Sequence, residues 1–457
     1  MKERLHFIAI GGAAMHNLAL ALQENGYIIS GSDDEILEPS LSRLKLAGIL
    51  PAEHGWFTEK ITKELDGVIL GMHARADNPE LLKALSSKIP VYSFPEFLYE
   101  HSKNKLRVVI GGSHGKTTIT AMIMHVLRMQ NYDFDYMVGA KVEGFDTMVR
   151  LSNAPLIILE GDEYLSSAID RRPKFHFYKA DIGLISGIAW DHINVFPTLE
   201  SYTEQFRIFA NAIPDTGSLV YCSDDEEVNR IALQLKSRVE KFSYEIPQYE
   251  IKDRITYLIT NNGKVQLSVF GEHNLMNLEG ARVVCKKLGI ESEKFYHSIQ
   301  SFEGAARRLE LLARNNAVAV YKDFAHSPSK LKATIHAVRQ QYPNRKLIAC
   351  MELHTFSSLN EDFLNQYSGS MDEADIALVY FNPHTVEHKK LKAINEAIIQ
   401  KAFRNSGIKI FTDSSLLQKE LLTMDVASTV LLLMSSGNFD GINLDDLADR
   451  LINQLAN

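Results

Sequence analysis

Over the first hundred residues, short apolar runs rich in β-branched side chains alternate with stretches whose apolar positions recur every three or four residues. Residues 5–10, 27–31, 68–71 and 91–93 have strand character, while 17–25 and a stretch near 40–47 follow the helical period. Strands that alternate with helices predict a parallel sheet with crossover connections. The charged run Glu100-His101-Ser102-Lys103-Asn104-Lys105 interrupts this pattern and residues 107–110 restart it, which predicts a boundary after residue 105. A second α/β unit follows over 106–313. It has buried strands at 156–159 and 182–186, an Asn262-Gly263 turn between two β-rich runs, and a helix that starts near Asn274 and stops at Gly289. A third unit over 314–457 carries strands at 318–321, 347–351, 376–380 and 430–434. The pattern predicts an α/β protein of three consecutive domains.

Composition narrows the partners. A chain of 457 residues is too long for one ordinary core, which agrees with three domains. The net charge of -8 disfavours a reader of phosphate backbones, so nucleic acid is not an expected partner. No apolar run reaches the length of a membrane span, and the start Met1-Lys2-Glu3-Arg4 is unlike a signal peptide, so no membrane association is expected. Cys222, Cys285 and Cys350 are far apart, lack metal-ligand spacing and sit in or beside apolar runs. They are expected to be reduced core residues of a cytoplasmic protein.

Candidate chemistry centres on Gly112-Ser113-His114-Gly115-Lys116-Thr117-Thr118, between the 107–110 strand and a helix running through Ala121, Met124 and Leu127. Strand, glycine turn and helix N-terminus aim backbone N–H groups and the positive end of a helix dipole at one point, as a triphosphate requires. Lys116 would reach the terminal phosphates and Thr117 would hold Mg²⁺. The general pattern has a glycine where Ile110 stands, and a simple helix cap is the plain alternative. Glu160-Gly161-Asp162-Glu163-Tyr164 leaves the 156–159 strand at its carboxyl end, where α/β proteins bind ligands. Glu160 is the candidate Mg²⁺ ligand, since a hard dication prefers oxygen, with a solvated loop as the alternative. Asp191-His192 follows the 182–186 strand, and His192 is either a ligand of a second cation or a hydrogen-bonded structural residue. Two rivals remain at this point. The glycine turn at Gly11, with Asp33 at a ribose-binding spacing, fits a nicotinamide-dependent oxidoreductase, although Ala14 replaces the third glycine. A non-catalytic nucleotide-binding module is the other.

Together these motifs resemble the Mur ligases, the family that builds the bacterial cell-wall precursor by joining UDP-N-acetylmuramate to amino acids or peptides. The resemblance covers nearly the whole chain, and the family's phosphate loop also lacks the first glycine, so Ile110 fits it. It implies a Rossmann-like UDP-substrate domain at 1–105 and a P-loop ATPase-like ligase domain at 106–313. A Rossmann-like domain at 314–457 would then close over ATP and bind the acceptor. Ile8-Ala9-Ile10-Gly11-Gly12-Ala13-Ala14-Met15 and Gly31-Ser32-Asp33 resemble the uridine-nucleotide loop and following strand of the branch that charges UDP-N-acetylmuramate, which puts Gly11, Gly12, Ser32 and Asp33 at that substrate. Asp77-Asn78-Pro79-Glu80 resembles a further segment of the same branch. For ATP the resemblance implies Gly112, Ser113, His114, Gly115, Lys116, Thr117 and Thr118, with Asn274 and Asn277 on the adenine side, Arg308 near the phosphates and Asp323 at the ribose or phosphate region. It implies Thr117, Glu160 and His192 as Mg²⁺ ligands, and Lys116, His192, Arg308 and His326 as catalytic residues. Gly187, Ala189 and Ser327 depart from the family around the second metal. The first lysine after His192 is Lys236, so no carbamylated lysine is expected.

The acceptor has two candidates within this branch. The stretch from Glu160 to Tyr164, through Ile169-Asp170-Arg171-Arg172-Pro173-Lys174-Phe175 to Asp191-His192-Ile193-Asn194-Val195-Phe196-Pro197, resembles members that re-attach the tripeptide L-alanyl-γ-D-glutamyl-meso-diaminopimelate. Arg171, Arg172 and Lys174 would offer cations to that peptide, although a solvated basic turn explains them equally well. Glu352-Leu353-His354-Thr355-Phe356 lacks the Pro-Arg-Ser-Asn of the tripeptide enzymes, and His354 is similar to a histidine of members that add L-alanine. The tripeptide is the favoured expectation and L-alanine the alternative. A monomer or weak homodimer is expected.

Overall fold

The computed structural model describes residues 3–235 and 238–453. Lys236, on which the expectation about carbamylation turns, lies outside the described residues. The chain forms two compact units. One gathers the chain through Ile188 with Thr203–Tyr244 and Gly280–Phe295; the other gathers Ala189–Tyr202, Glu245–Glu279 and the chain from Tyr296 onward.

The first unit holds two sheets. Strands β1 (Arg4–Ile8), β2 (Ile28–Ser32), β3 (Gly67–Leu70) and β4 (Val91–Ser93) pair in parallel in the order β2-β1-β3-β4. Strand order reverses between β1 and β3, and such a switch opens a crevice at the carboxyl ends of the two strands. The strand expected over 5–10 ends at Ile8, because Ala9 turns with a φ of 66° on the way to helix Ala13–Glu24.

The second sheet comprises β5 (Leu106–Gly111), β6 (Asp135–Met137), β7 (Val149–Arg150), β8 (Leu156–Glu160), β9 (Ile182–Ile185), β10 (Ser218–Cys222) and β11 (Glu240–Tyr244), in the order β11-β10-β9-β5-β8-β6-β7. Only β6 and β7 run antiparallel. Val108, Val109 and Ile110 on β5, and Ile157, Ile158 and Leu159 on β8, are fully buried, as continuous apolar runs in a parallel sheet must be. β5 lies between β9 and β8, so residues 112–118, Ser186 and Glu160 emerge along one edge.

In the second unit, β12 (Tyr249–Lys252), β13 (Ile255–Thr260) and β14 (Gly263–Leu267) form a small antiparallel sheet, with Thr260 facing Gly263 across the predicted turn. Thr256 Oγ1 donates to Gln341 Oε1 at 3.2 Å and Gln341 Nε2 to Arg254 O at 2.6 Å, tying this sheet to helix Pro328–Gln341. These bonds explain why residues 245–279 cluster with the C-terminal part of the chain rather than with 106–244.

Strands β15 (Glu310–Arg314), β16 (Val318–Asp323), β17 (Lys346–Glu352), β18 (Ile376–Tyr380), β19 (Lys409–Phe411) and β20 (Thr429–Met434) complete this unit in the order β15-β16-β20-β17-β18-β19, parallel except for β15 against β16. Alternate residues feed two cores: Leu347, Ala349 and Met351 one, Ile348 and Cys350 the other. β16, β20 and β17 deliver Asp323, Ser435 and Glu352 to one edge, where Ser435 N donates to Asp323 O at 3.0 Å. Cys222, Cys285 and Cys350 are buried and unpaired. No described helix is long and apolar enough to cross a membrane.

Candidate active site

The loop after β5 follows from its glycines. Gly112 has a φ of 136°, and a Cβ there would collide with the Ser186 hydroxyl; Gly115 caps helix Lys116–Met129 with a φ of 78°. Side chains other than glycine are strained at such angles. Ser113 N donates to Gly187 O at 2.9 Å, and Ser186 Oγ donates to His114 O, so β9 holds the loop from one side. The His114 ring fills the space that a side chain at Gly187 would need. Beneath, fully buried Phe175 touches both Gly111 and Gly161, stacks on Phe209 at 4.9 Å and meets Phe206 edge-on at 5.4 Å.

The acidic segment after β8 lies against this loop. Thr117 Oγ1 donates to Glu160 Oε1 at 2.9 Å, and Gly139 N donates to Glu160 Oε2 at 2.7 Å. Lys116 Nζ donates to Gly112 O at 2.6 Å and to Glu163 Oε2 at 2.5 Å. Burial opposes the lysine's charge, but Glu163, Asp162 and Glu160 together hold its ammonium above the ordinary value. The expected grouping of residues 112–118 with Glu160 is therefore present. Glu163 was not singled out in the sequence, where only the surrounding acidic cluster signalled it.

At the carboxyl edge of the four-stranded sheet, Gly11 N donates to Asp33 Oδ2 at 2.6 Å. Burial pushes the Asp33 carboxyl up, against the opposing effect of that bond. Gly12 precedes helix Ala13–Glu24, and fully buried Ser32 accepts from Lys60 Nζ at 3.2 Å. Gly11, Gly12, Ser32 and Asp33 thus share one edge, with Asp33 turned onto the glycine turn.

The second unit carries the remaining candidates. His192 adopts a φ of 55°, uncommon for a residue with a side chain, and its N–H donates to Asp191 Oδ1 at 2.7 Å. His326 Nδ1 donates to Phe324 O at 2.8 Å, which turns Nε2 toward Asp191 Oδ2 at 3.7 Å; Tyr367 Oη donates to His326 O. Burial opposes ionisation of Asp191, yet His326, His192 and Lys330 hold its carboxyl well below the usual range. Asp323 accepts from Leu309 N and Ala325 N, each at 2.7 Å, and from Thr334 Oγ1 at 3.3 Å. It thereby fixes the turn that carries Arg308, whose guanidinium lies 4.6 Å over the Phe324 ring. Asn274 Nδ2 donates to Phe270 O at 2.9 Å, and both Asn274 and Asn277 are buried in helix Glu272–Lys287. Half-buried His354 has Nδ1 3.5 Å from Glu352 Oε1.

Family models match three successive stretches: "Mur ligase family, catalytic domain" over residues 4–106, "Mur ligase middle domain" over 110–285, and "Mur ligase, glutamate ligase domain" over 307–437. A relative from Clostridium kluyveri, named UDP-N-acetylmuramate–L-alanine ligase, is 30% identical over 419 residues, 89% of each chain. The chain belongs to the Mur ligase family. As a Mur ligase it is an ATP-dependent, amide-forming enzyme of three α/β family domains. That sets aside both the oxidoreductase and the non-catalytic module.

Two solved structures share the fold. A murein peptide ligase from Psychrobacter arcticus matches with a TM-score of 0.68 at 22% identity, and a UDP-N-acetylmuramate-alanine ligase from Thermotoga maritima with 0.72 at 19%; each comparison covers 99% of both chains.

Within this Mur ligase the basic run expected to meet a charged peptide is largely neutralised by its own neighbours. Arg172 Nη2 donates to Asp170 Oδ2 at 2.6 Å, and Lys174 Nζ to Asp162 Oδ2 at 2.5 Å; Arg171 is exposed. Among the described residues no three His, Cys, Asp or Glu side chains converge as a metal cage. Mg²⁺ needs none, since it commonly binds through one or two protein oxygens plus phosphate, and Thr117 and Glu160 provide a hydroxyl and a carboxylate side by side.

Proposed function

We propose that this Mur ligase joins the lactyl carboxylate of UDP-N-acetylmuramate to the amino group of L-alanine, with ATP as the activating substrate. The observation that carries the reading is Lys116 at the start of a helix after β5, with Thr117 and Glu160 in hydrogen-bond contact beside it.

A carboxylate does not acylate an amine at neutral pH, because its oxygen is a poor leaving group. Transfer of the γ-phosphoryl group to that oxygen releases ADP and creates an acyl phosphate. The amine nitrogen then attacks the acyl carbon, the C–O bond to phosphate breaks, and the nitrogen loses its proton. Lys116 and the loop N–H groups offset charge on the transferring phosphoryl group. Mg²⁺, held by Thr117 and Glu160, would neutralise phosphate charge. In this reading Gly11, Gly12, Ser32 and Asp33 serve the UDP substrate. Asn274, Asn277, Arg308 and Asp323 serve ATP, while His192 and His326 orient the reacting groups. The domain bounds 1–105, 106–313 and 314–457 are part of the same proposal, as is a cytoplasmic location, which the three buried thiols support.

Two observations favour L-alanine over the tripeptide expected from the sequence. The relative matched over most of the chain carries the alanine-ligase name, and the pairing of Arg172 and Lys174 with Asp170 and Asp162 weakens their claim as peptide anchors. His354 would then meet the alanine carboxylate. The tripeptide remains the second reading because the run from 160 to 197 resembles the tripeptide enzymes. Phosphate release that requires UDP-N-acetylmuramate and L-alanine together is the expected result of a coupled assay; release with either alone, or none, would contradict the proposal.

A further inference from the structure

Lys116 has two hydrogen-bond partners of different kinds. Gly112 O belongs to the loop itself, whereas Glu163 Oε2 comes from the acidic segment and reaches the ammonium at 2.5 Å. A hydrogen bond between two ionised groups is roughly twice as strong as a neutral one. Both side chains are largely withdrawn from water, 14% exposed for Lys116 and 2% for Glu163, so solvent does little to weaken the pair.

The same carboxylate is a chemical competitor. A terminal phosphate oxygen is an oxyanion like Glu163, and to contact Lys116 it must share the ammonium with that carboxylate or displace it. The surrounding charge acts in the same direction. Glu160, Asp162 and Glu163 all act on the Lys116 ammonium, and Lys174 pairs with Asp162.

We infer that Glu163 is a positioning residue that competes with the terminal phosphates for Lys116, fixing the ammonium over the loop while lowering nucleotide affinity. The inference rests on the reading of residues 112–118 as the nucleotide site. Glutamine at 163 keeps the length and an acceptor oxygen but removes the charge.

Isothermal titration of the full chain with a non-hydrolysable ATP analogue and Mg²⁺ tests it. E163Q is expected to bind roughly tenfold more tightly than the parent, the equivalent of one charge-assisted bond. In turnover, KM for ATP should fall while KM for UDP-N-acetylmuramate stays unchanged, a split that a merely structural residue would not give. A folded E163Q with equal or weaker analogue affinity overturns the inference. Should E163Q fail to fold, E163D, which keeps the charge but shortens the reach, must also bind more tightly; equal or weaker binding overturns the inference there. Parent protein that binds no nucleotide would sink the nucleotide-site reading itself, a different outcome from unchanged affinity in the variant.

Discussion

A buried carboxyl is held in its charged form where specific donors replace the water it loses, as at Glu80, away from the nucleotide loop. Its side chain is fully buried, 3.2 Å from His6 Nε2, and accepts from Phe57 N at 2.7 Å. Burial pushes the Glu80 carboxyl up, but His6, Ser32 and Phe57 outweigh it and hold the group below the usual carboxylate value. A carboxyl whose folded value is depressed contributes stability that is complete above its unfolded value of 4.5 and lost as pH falls through the lower folded value. Glu80→Gln should therefore remove part of the acid limb from a plot of melting temperature against pH; parallel curves for parent and variant would count against this account. Lys116→Ala should abolish both analogue binding and turnover, and retained activity would refute the loop's role. Glu160, Lys116 and Thr117 were legible in the sequence because they fall at fixed offsets from a strand end and a glycine turn. Glu163 was not, since its partner lies 47 residues away and pairing across folded space leaves no local signal.

Among the elements, the strand–loop–helix around residues 112–118 depends on a floor as well as on its glycines. Phe175 supplies that floor beneath Gly111 and Gly161, in an aromatic stack with Phe209. Phe175→Ala should cost about 3–5 kcal/mol, the usual range for a large core aromatic, readable as a lower urea midpoint. A change under 1 kcal/mol, on the order expected of a surface site, would show that the ring does not support the loop. Most strands of the parallel sheets were legible because they are continuous apolar runs. The three-stranded sheet over 249–267 was visible as one turn between two β-rich runs, without β12, because these strands are short and half exposed, with polar residues such as Glu250, Lys252 and Lys264 between the apolar ones. The early end of β1 at Ile8 could not be read from apolar character, since Ala9 and Ile10 continue the pattern while the backbone has already turned.

For the whole molecule, three family domains and two compact units describe the same chain by different criteria. The family matches follow sequence, whereas the units follow packing, and the 245–279 segment is tied to helix Pro328–Gln341 through Gln341. Long-range packing of that kind is not encoded in apolar periodicity, which explains why three segments were read where two units form. The family itself was legible because its motifs occur in order along nearly the entire chain. The acceptor was less so, since the basic run at 171–174 gives the same sequence signal whether it binds a peptide or its own aspartates.

The most direct measurement is identification of the product by mass. The protein is incubated with ATP, Mg²⁺ and UDP-N-acetylmuramate, and L-alanine or L-alanyl-γ-D-glutamyl-meso-diaminopimelate is offered separately. Our account predicts UDP-N-acetylmuramoyl-L-alanine with equimolar ADP. A product only with the tripeptide would contradict the proposed acceptor, and no amide with either would contradict the proposed reaction.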